Sequence, residues 1–260
     1  MESLLPERQF SQKRHIKGLL TVVLVILILF GSGQMTGVST DFSWDQFWQI
    51  LIKMTQPDWS YVSAIVTPIL ETIQMALVGT LLGTIIAVPF SLLAARNIMK
   101  NAVARGIIRF FLNLVRALPD LLLAALFVAI VGIGPMAGGG ALTVFSFGMI
   151  SKLFYEAIET IDDGPIEALT AAGANSIQTI VFAVVPQVFN QFLSYFLYTL
   201  EINVRASTVL GYLGAGGVGL YLSQTLSLFR YDRTAIVILA ILVVVIIVDG
   251  ISNRLREALA

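Results

Sequence analysis

The chain has 260 residues, of which 57% are hydrophobic and only 12% are Asp, Glu, Lys or Arg, about half the charge of an ordinary soluble domain. Sixteen Lys and Arg balance sixteen Asp and Glu, so there is no global basic field to hold nucleic acid and no acidic excess of the kind that keeps a tail disordered. A mean hydropathy of +0.87 makes lipid the solvent; the lack of Cys and the single His15 exclude disulfide scaffolds, Cys/His zinc sites, Cys nucleophiles and any Ser-His-Asp triad outside the N-terminal tail.

Gaps between charges mark the membrane spans, because roughly 17 to 25 predominantly apolar residues cross a ~30 Å hydrocarbon core as a helix. The uncharged stretch between Lys17 and Asp41 opens with an apolar run from Gly18 to Phe30 and predicts a first span near 18–35. Its basic start also fits a signal peptide, although no alanine-flanked cleavage site follows. The uncharged stretch between Glu71 and Arg96 predicts a second span near 66–94. From Leu121 to Ser151 the chain is again uncharged, but it is broken by glycines between Gly132 and Gly140 and is too short for two spans. Charged residues must therefore enter the membrane. A third span near 108–131 carries Arg116 and Asp120, and a fourth near 138–158 carries Lys152 and Glu156.

The long uncharged stretch between Glu167 and Glu201 holds a fifth span near 177–200, and a last one runs near 234–251 with Asp249 close to the headgroups. The stretch from Ala206 to Phe229 is long enough for another, but Gly211, Gly214, Gly216, Gly217 and Gly219 interrupt it. Such backbone survives at membrane depth only when buried in protein or lining water, so the stretch reads as a re-entrant or broken segment. The expected fold is an all-α membrane protein, one domain over residues 1–260 with six transmembrane helices. Arg8, Lys13, Arg14 and Lys17, then Arg96, Lys100, Arg105 and Arg109, then Arg254 and Arg256 put both termini in the cytoplasm by the positive-inside rule. Trp44, Trp48, Trp59 and Tyr61 suit an interface belt on the other side.

Gly214-Ala-Gly-Gly-Val-Gly219 matches a dinucleotide fingerprint literally, but it follows an apolar helix rather than a strand and has no acidic residue about 20 positions on. No Gly precedes a Lys, so no phosphate-binding loop of the Walker type exists. Gly79 and Gly83 carry the spacing by which membrane helices approach closely. The most specific segment is Asp162 to Ile177. Pro165 suits a first helical position, Asp163 and Glu167 complement the helix dipole, and Gly173 can close the helix in a left-handed conformation. A short rod over 165–172, about 12 Å long, results. It reads either as a knob for a partner's groove or as a linker helix on the bilayer surface.

Glu167-Ala168-Leu169, then Gly173, then Pro186 resembles the cytoplasmic coupling loop of permease subunits of ABC importers, with Leu169, Ala183 and Val185 departing from the usual Ala, Ile and Leu. Arg116-Ala-Leu-Pro-Asp120 and Arg205 to Gly219 add a similarity to the phosphonate-type branch, and the resemblance spans about residues 65 to 255. It implies a homodimer of this subunit, two cytoplasmic ATPase subunits that carry ATP and Mg, and an external substrate-binding protein, in a bacterial inner membrane. No cofactor, metal or catalytic residue is expected on the chain itself. The implied substrate is a phosphonate or related phosphorus oxyanion, with methionine-type import as the alternative because those permeases share a comparable Gly-rich segment. An ATP-independent secondary transporter would also use broken helices and midplane charges. Arg116, costly inside a span, reads either as part of the anion's path or as a structural pair with Asp120 or Glu71. Glu201, Asn203 and Arg205, expected between the fifth span and the Gly-rich segment, either line that path or snorkel to the headgroups.

Overall fold

Among the residues that the computed structural model describes, four helices are long and apolar enough to cross a membrane, and a fifth crossing is available if one sharply bent pair counts as a span. The structure describes residues 43–259 together with Thr21, Val23 and Leu24, and among them there is no strand. Apart from those three residues the expected first span near 18–35 lies outside them. The chain divides into two compact units after Gln49. Helix α1 (Trp44–Met54) begins in the first unit and is aromatic at its start, where Phe47 meets Trp44 and Trp48 edge-on with ring centres 6.0 and 5.6 Å apart.

The second unit holds the remaining helices: α2 (Val62–Ala94), α3 (Ala102–Ala117), α4 (Asp120–Val131), α5 (Pro135–Ile158), α6 (Gly164–Ala171), α7 (Ser176–Tyr212), α8 (Val218–Ser227) and α9 (Tyr231–Leu259). A clasp joins the starts of α2 and α9. The Asp58 N–H donates to the Asp232 carbonyl at 3.2 Å, Arg233 Nε donates to the Asp58 carboxylate at 3.2 Å, and the Arg233 guanidinium lies 4.9 Å over the Tyr61 ring. The Ser60 hydroxyl, with Arg233 beside it, holds the Asp58 carboxyl below the usual carboxylate range. The clasp is therefore charged at neutral pH and loosens only as pH falls through that lowered value.

Helices α2 and α5 form the centre of the bundle because glycines let their backbones meet. A Cβ on Gly79 would lie 2.6 Å from the Leu142 Cβ, and one on Gly83 would lie 2.5 Å from the Ser146 Cβ. The close-approach spacing read from the sequence is thus used within one chain. Helix α7 packs on both, and its contact is polar where lipid offers no alternative partner: fully buried Asn203 donates through Nδ2 to Thr80 Oγ1 at 2.7 Å and to Ser146 Oγ at 2.6 Å. Interhelical hydrogen bonds in membranes average about 0.6 kcal/mol and reach about 1.7. Asn203→Ala, which removes two of them and opens a small void, is expected to cost about 1 to 3 kcal/mol. Melting in detergent checks this, and Thr80→Val combined with Asn203→Ala should cost clearly less than the sum of the two singles.

The stretch expected as a third span near 108–131 is sharply bent. Helices α3 and α4 meet at 84°. Pro119 lacks an N–H and forces the preceding residue out of the helical region, and both Leu118 (ψ 125°) and Pro119 (ψ 140°) are extended. Helix α7 covers the stretch expected as a fifth span near 177–200 and continues to Tyr212. Its start contains one wide turn over Ile180–Val184, in which the Val185 N–H reaches the Ile180 carbonyl. Pro186 is the cause: it cannot donate to residue 182 and its ring would strike that carbonyl in a regular turn. Residues 206–212 of the stretch expected to be broken are helical, and the break is confined to 213–217 between α7 and α8.

Candidate functional site

Helix α6 occupies Gly164–Ala171, one residue earlier than expected. Pro165 stands in its first turn. Asp163 stands at the N-cap position without a side-chain capping bond, and the Asp162 carboxylate accepts the Gly164 N–H at 3.0 Å. Glu167 lies in the first turn, beside the partial positive charge of the helix start. At the other end Gly173 has φ +84°, the Ala174 N–H donates to the Leu169 carbonyl at 2.9 Å, and the Gly173 N–H donates to the Thr170 carbonyl at 3.0 Å. These two crossed bonds satisfy carbonyls that the helix end leaves open. The rod is thus closed at its C-terminal end by the residues that follow it. Ala168, Leu169 and Thr170 lie on or near its surface, while Ile166 turns inward to the cluster of Ala94, Ala95, Ile158 and Val184. Asn175 then caps the start of α7 reciprocally with Gln178, and Pro186 marks the wide turn that follows.

Arg116 lies in the last turn of α3, exposed at the bend rather than deep in a straight span. Among the described residues it forms an ion pair with neither Asp120 nor Glu71; Asp120 begins α4, where its carboxylate accepts the Leu121 N–H at 2.9 Å. Arg116, Val115, Leu118, Phe145 and Met149 line a cavity of about 230 Å³ with a single charged wall. A second cavity, about 460 Å³ and mostly apolar, lies between α2, α4 and α5 with Gln74 and Thr143 as its polar members.

Glu201, Asn203 and Arg205 are not in a connector but inside α7. Glu201 accepts from Arg205 one turn on and from Arg256 of α9 at 2.8 Å, and Arg205 stands 3.7 Å from Asp249. Four charges thereby neutralise one another between α7 and α9, while Asn203 faces the opposite way into the bundle. Reading gaps between charges missed this group. Glu201 and Arg205 at i, i+4 on a helix were the visible signal. It also missed a second group: the Glu159 carboxylate accepts from the Arg96 N–H at 2.7 Å and from the Arg109 guanidinium, far apart in the sequence.

The arrangement is a bundle of apolar helices with one short helix held at an end. The family model of binding-protein-dependent transport system inner membrane components matches residues 87–259. The chain belongs to this family. The permease is 40% identical over 201 residues, 77% of its own length and 73% of the relative's, to the phosphite transport system permease protein PtxC of Stutzerimonas stutzeri. It is 35% identical to the phosphate-import permease protein PhnE of Mycolicibacterium smegmatis over 81% of its own length and 40% of that protein's. Among solved structures it is similar to an inward-facing MetNI methionine ABC transporter, with a TM-score of 0.70 and 25% identity over 78% of this permease and 99% of that chain. This permease is an integral membrane transport subunit and not an enzyme.

Proposed function

We propose that this permease forms the membrane path of an ATP-driven importer for a phosphonate or related phosphorus oxyanion. The observation that carries the reading is the likeness to phosphite- and phosphate-transporting permeases at 40% and 35% identity, which favours phosphorus oxyanions over methionine. Two copies of the chain surround the path, and both termini and α6 face the cytoplasm. An external binding protein delivers the anion. Two ATPase subunits hold ATP and Mg and receive α6 in a groove of each. ATP binding draws the ATPases together, α6 carries that motion to the bundle, and the path opens outward before hydrolysis returns it inward. Glu167, Ala168, Leu169 and Gly173 shape the knob, and Pro186 sets the wide turn behind it.

The test is reconstitution with the neighbouring ATPase and binding protein, followed by uptake of phosphite, methylphosphonate, phosphate and methionine. Uptake of at least one phosphorus oxyanion that needs both ATP and the binding protein is the expected result. Methionine uptake alone, or uptake without the ATPase, overturns the reading.

Arg116 is assigned to the anion's path because its charge is unpaired among the described residues and faces a cavity. A charge-assisted hydrogen bond to a phosphorus oxyanion is worth about 1.5 to 3 kcal/mol. Arg116→Gln keeps a polar amide donor but shortens the side chain and removes the charge, so uptake should fall roughly tenfold or more with the melting temperature unchanged. A large drop in melting temperature, restored by adding Asp120→Asn or Glu71→Gln, would make Arg116 a structural partner instead.

A further inference from the structure

Helix α5 ends at Ile158 and α6 begins at Gly164, and the connection between them is pinned at both ends. At the first pin, Glu159 (side chain 14% exposed) takes the Arg96 N–H at 2.7 Å and the Arg109 guanidinium. Arg109 also donates from Nε and Nη2 to the Ala94 carbonyl at 2.9 and 2.8 Å, and it lies 4.7 Å over the Tyr155 ring. Beside them Asn97 Nδ2 donates to the Ile158 carbonyl at 2.6 Å. The end of α5 is thereby fastened to the end of α2 and to the middle of α3. At the second pin, the Gln187 amide holds both backbone groups of Asp162: its Oε1 accepts the N–H at 3.1 Å, and its Nε2 donates to the carbonyl at 3.3 Å. Nε2 is shared with the Ala183 carbonyl at 2.8 Å, in the wide turn of α7.

Only Thr160 and Ile161 lie between the pins. Three residue steps span at most about 10 Å when extended, so the connection has almost no slack to absorb a displacement. A helix on a loose tether moves without moving anything else. A helix on a joint fixed at both ends must carry its neighbours along, here α2, α3 and α5 through Glu159 and α7 through Gln187.

We propose that Glu159 and Gln187 are the positioning residues that divide the motion of α6 between these two halves of the bundle. The inference rests on reading α6 as the helix that the ATPase moves, and it adds the route by which that motion enters the membrane. Neither residue touches substrate or nucleotide. Their role is to keep the joint short.

The test uses the full complex of permease, ATPase and binding protein in proteoliposomes, reading uptake and ATP hydrolysis together. Inserting Gly-Gly after Thr160 leaves every pin able to form but adds slack. Transported anion per ATP should fall by roughly three- to thirtyfold, the range of coupling that single sites control, while ATP hydrolysis and melting temperature stay near the parent's. Glu159→Gln, which keeps an acceptor for the Arg96 N–H, and Gln187→Leu should each lower the same ratio, and the double variant should exceed either. Parent-like transport per ATP in the insertion and both substitutions overturns the proposal. So does a parallel loss of hydrolysis and melting temperature, which marks the joint as structural only. Gly173→Leu run alongside separates the two readings: if it uncouples the complex and the joint variants do not, the joint falls and α6 stands, whereas if it too stays coupled, the assignment of α6 itself falls.

Discussion

Gly173→Leu is expected to abolish ATP-driven uptake in a permease that still inserts and folds. The penalty is conformational: Gly173 sits at φ +84°, and no atom lies within 4 Å of where its Cβ would be, so the strain is in the backbone rather than in a Cβ contact. An ordinary residue in this left-handed region costs roughly 1 to 2 kcal/mol, small beside a bundle held by four long helices. It is large beside a rod of two turns, whose last carbonyls depend on the Ala174 and Gly173 N–H groups arriving in that conformation. Losing the cap unwinds the end of α6 and alters the knob. Glu167→Lys attacks the other end by reversing a dipole interaction worth about 0.3 to 1 kcal/mol, and should weaken uptake less. Gly173→Asn, which tolerates the left-handed region, should retain more function than Leu. Uptake and ATP hydrolysis in proteoliposomes, with melting and size-exclusion profiles as controls, decide it. A Leu variant that transports at the parent's rate reduces α6 to a linker.

Gly219→Ala should destroy folding where Gly173→Leu spares it. A Cβ on Gly219 would lie 1.9 Å from the Thr208 carbonyl oxygen and 2.9 Å from the Gly211 Cα. Both are backbone atoms of α7, so no rotamer change relieves the overlap, and α8 must separate from α7. Overpacking against movable side chains costs about 1 to 3 kcal/mol, and here the cost should exceed about 3 kcal/mol. Gly211→Ala meets the Gly216 carbonyl at 2.5 Å and should behave similarly. Gly250→Ala and Gly106→Ala meet nothing within 4 Å and sit in helices, so they should be neutral or slightly stabilising, by up to about 1 kcal/mol. Monodisperse yield and melting temperature in detergent are the measurements. A Gly219→Ala protein that melts with the parent would mean that α7 and α8 are not in contact as described.

These two glycines show what kind of information a sequence carries. Gly173 was legible because a helix cap is local: Pro165, Glu167 and Gly173 lie close together in the chain and act on one another through backbone geometry alone. Gly219 was legible only as a member of a glycine-rich stretch. Which atom each glycine admits depends on where α7 returns, and that is not written near it. The bend at Leu118-Pro119 lies between these cases. Proline marks a break in any helix, yet the charge pattern favoured one span across it, and only the folded chain shows the 84° angle that the break takes.

By itself the sequence determined that the chain lives in lipid and that one short helix lies between Asp162 and Ile177, since hydropathy, proline and helix-end chemistry act over a few residues. The tertiary structure decided what the charges and buried polar groups do. Glu201 ends a span when read alone but continues one once Arg256, 55 residues away, supplies its counter-charge. Arg109 and Glu159 are 50 residues apart, and Asn203 and Thr80 are 123 apart. The cost of a polar group in a membrane is set by its partner, and only the folded bundle brings the partners together.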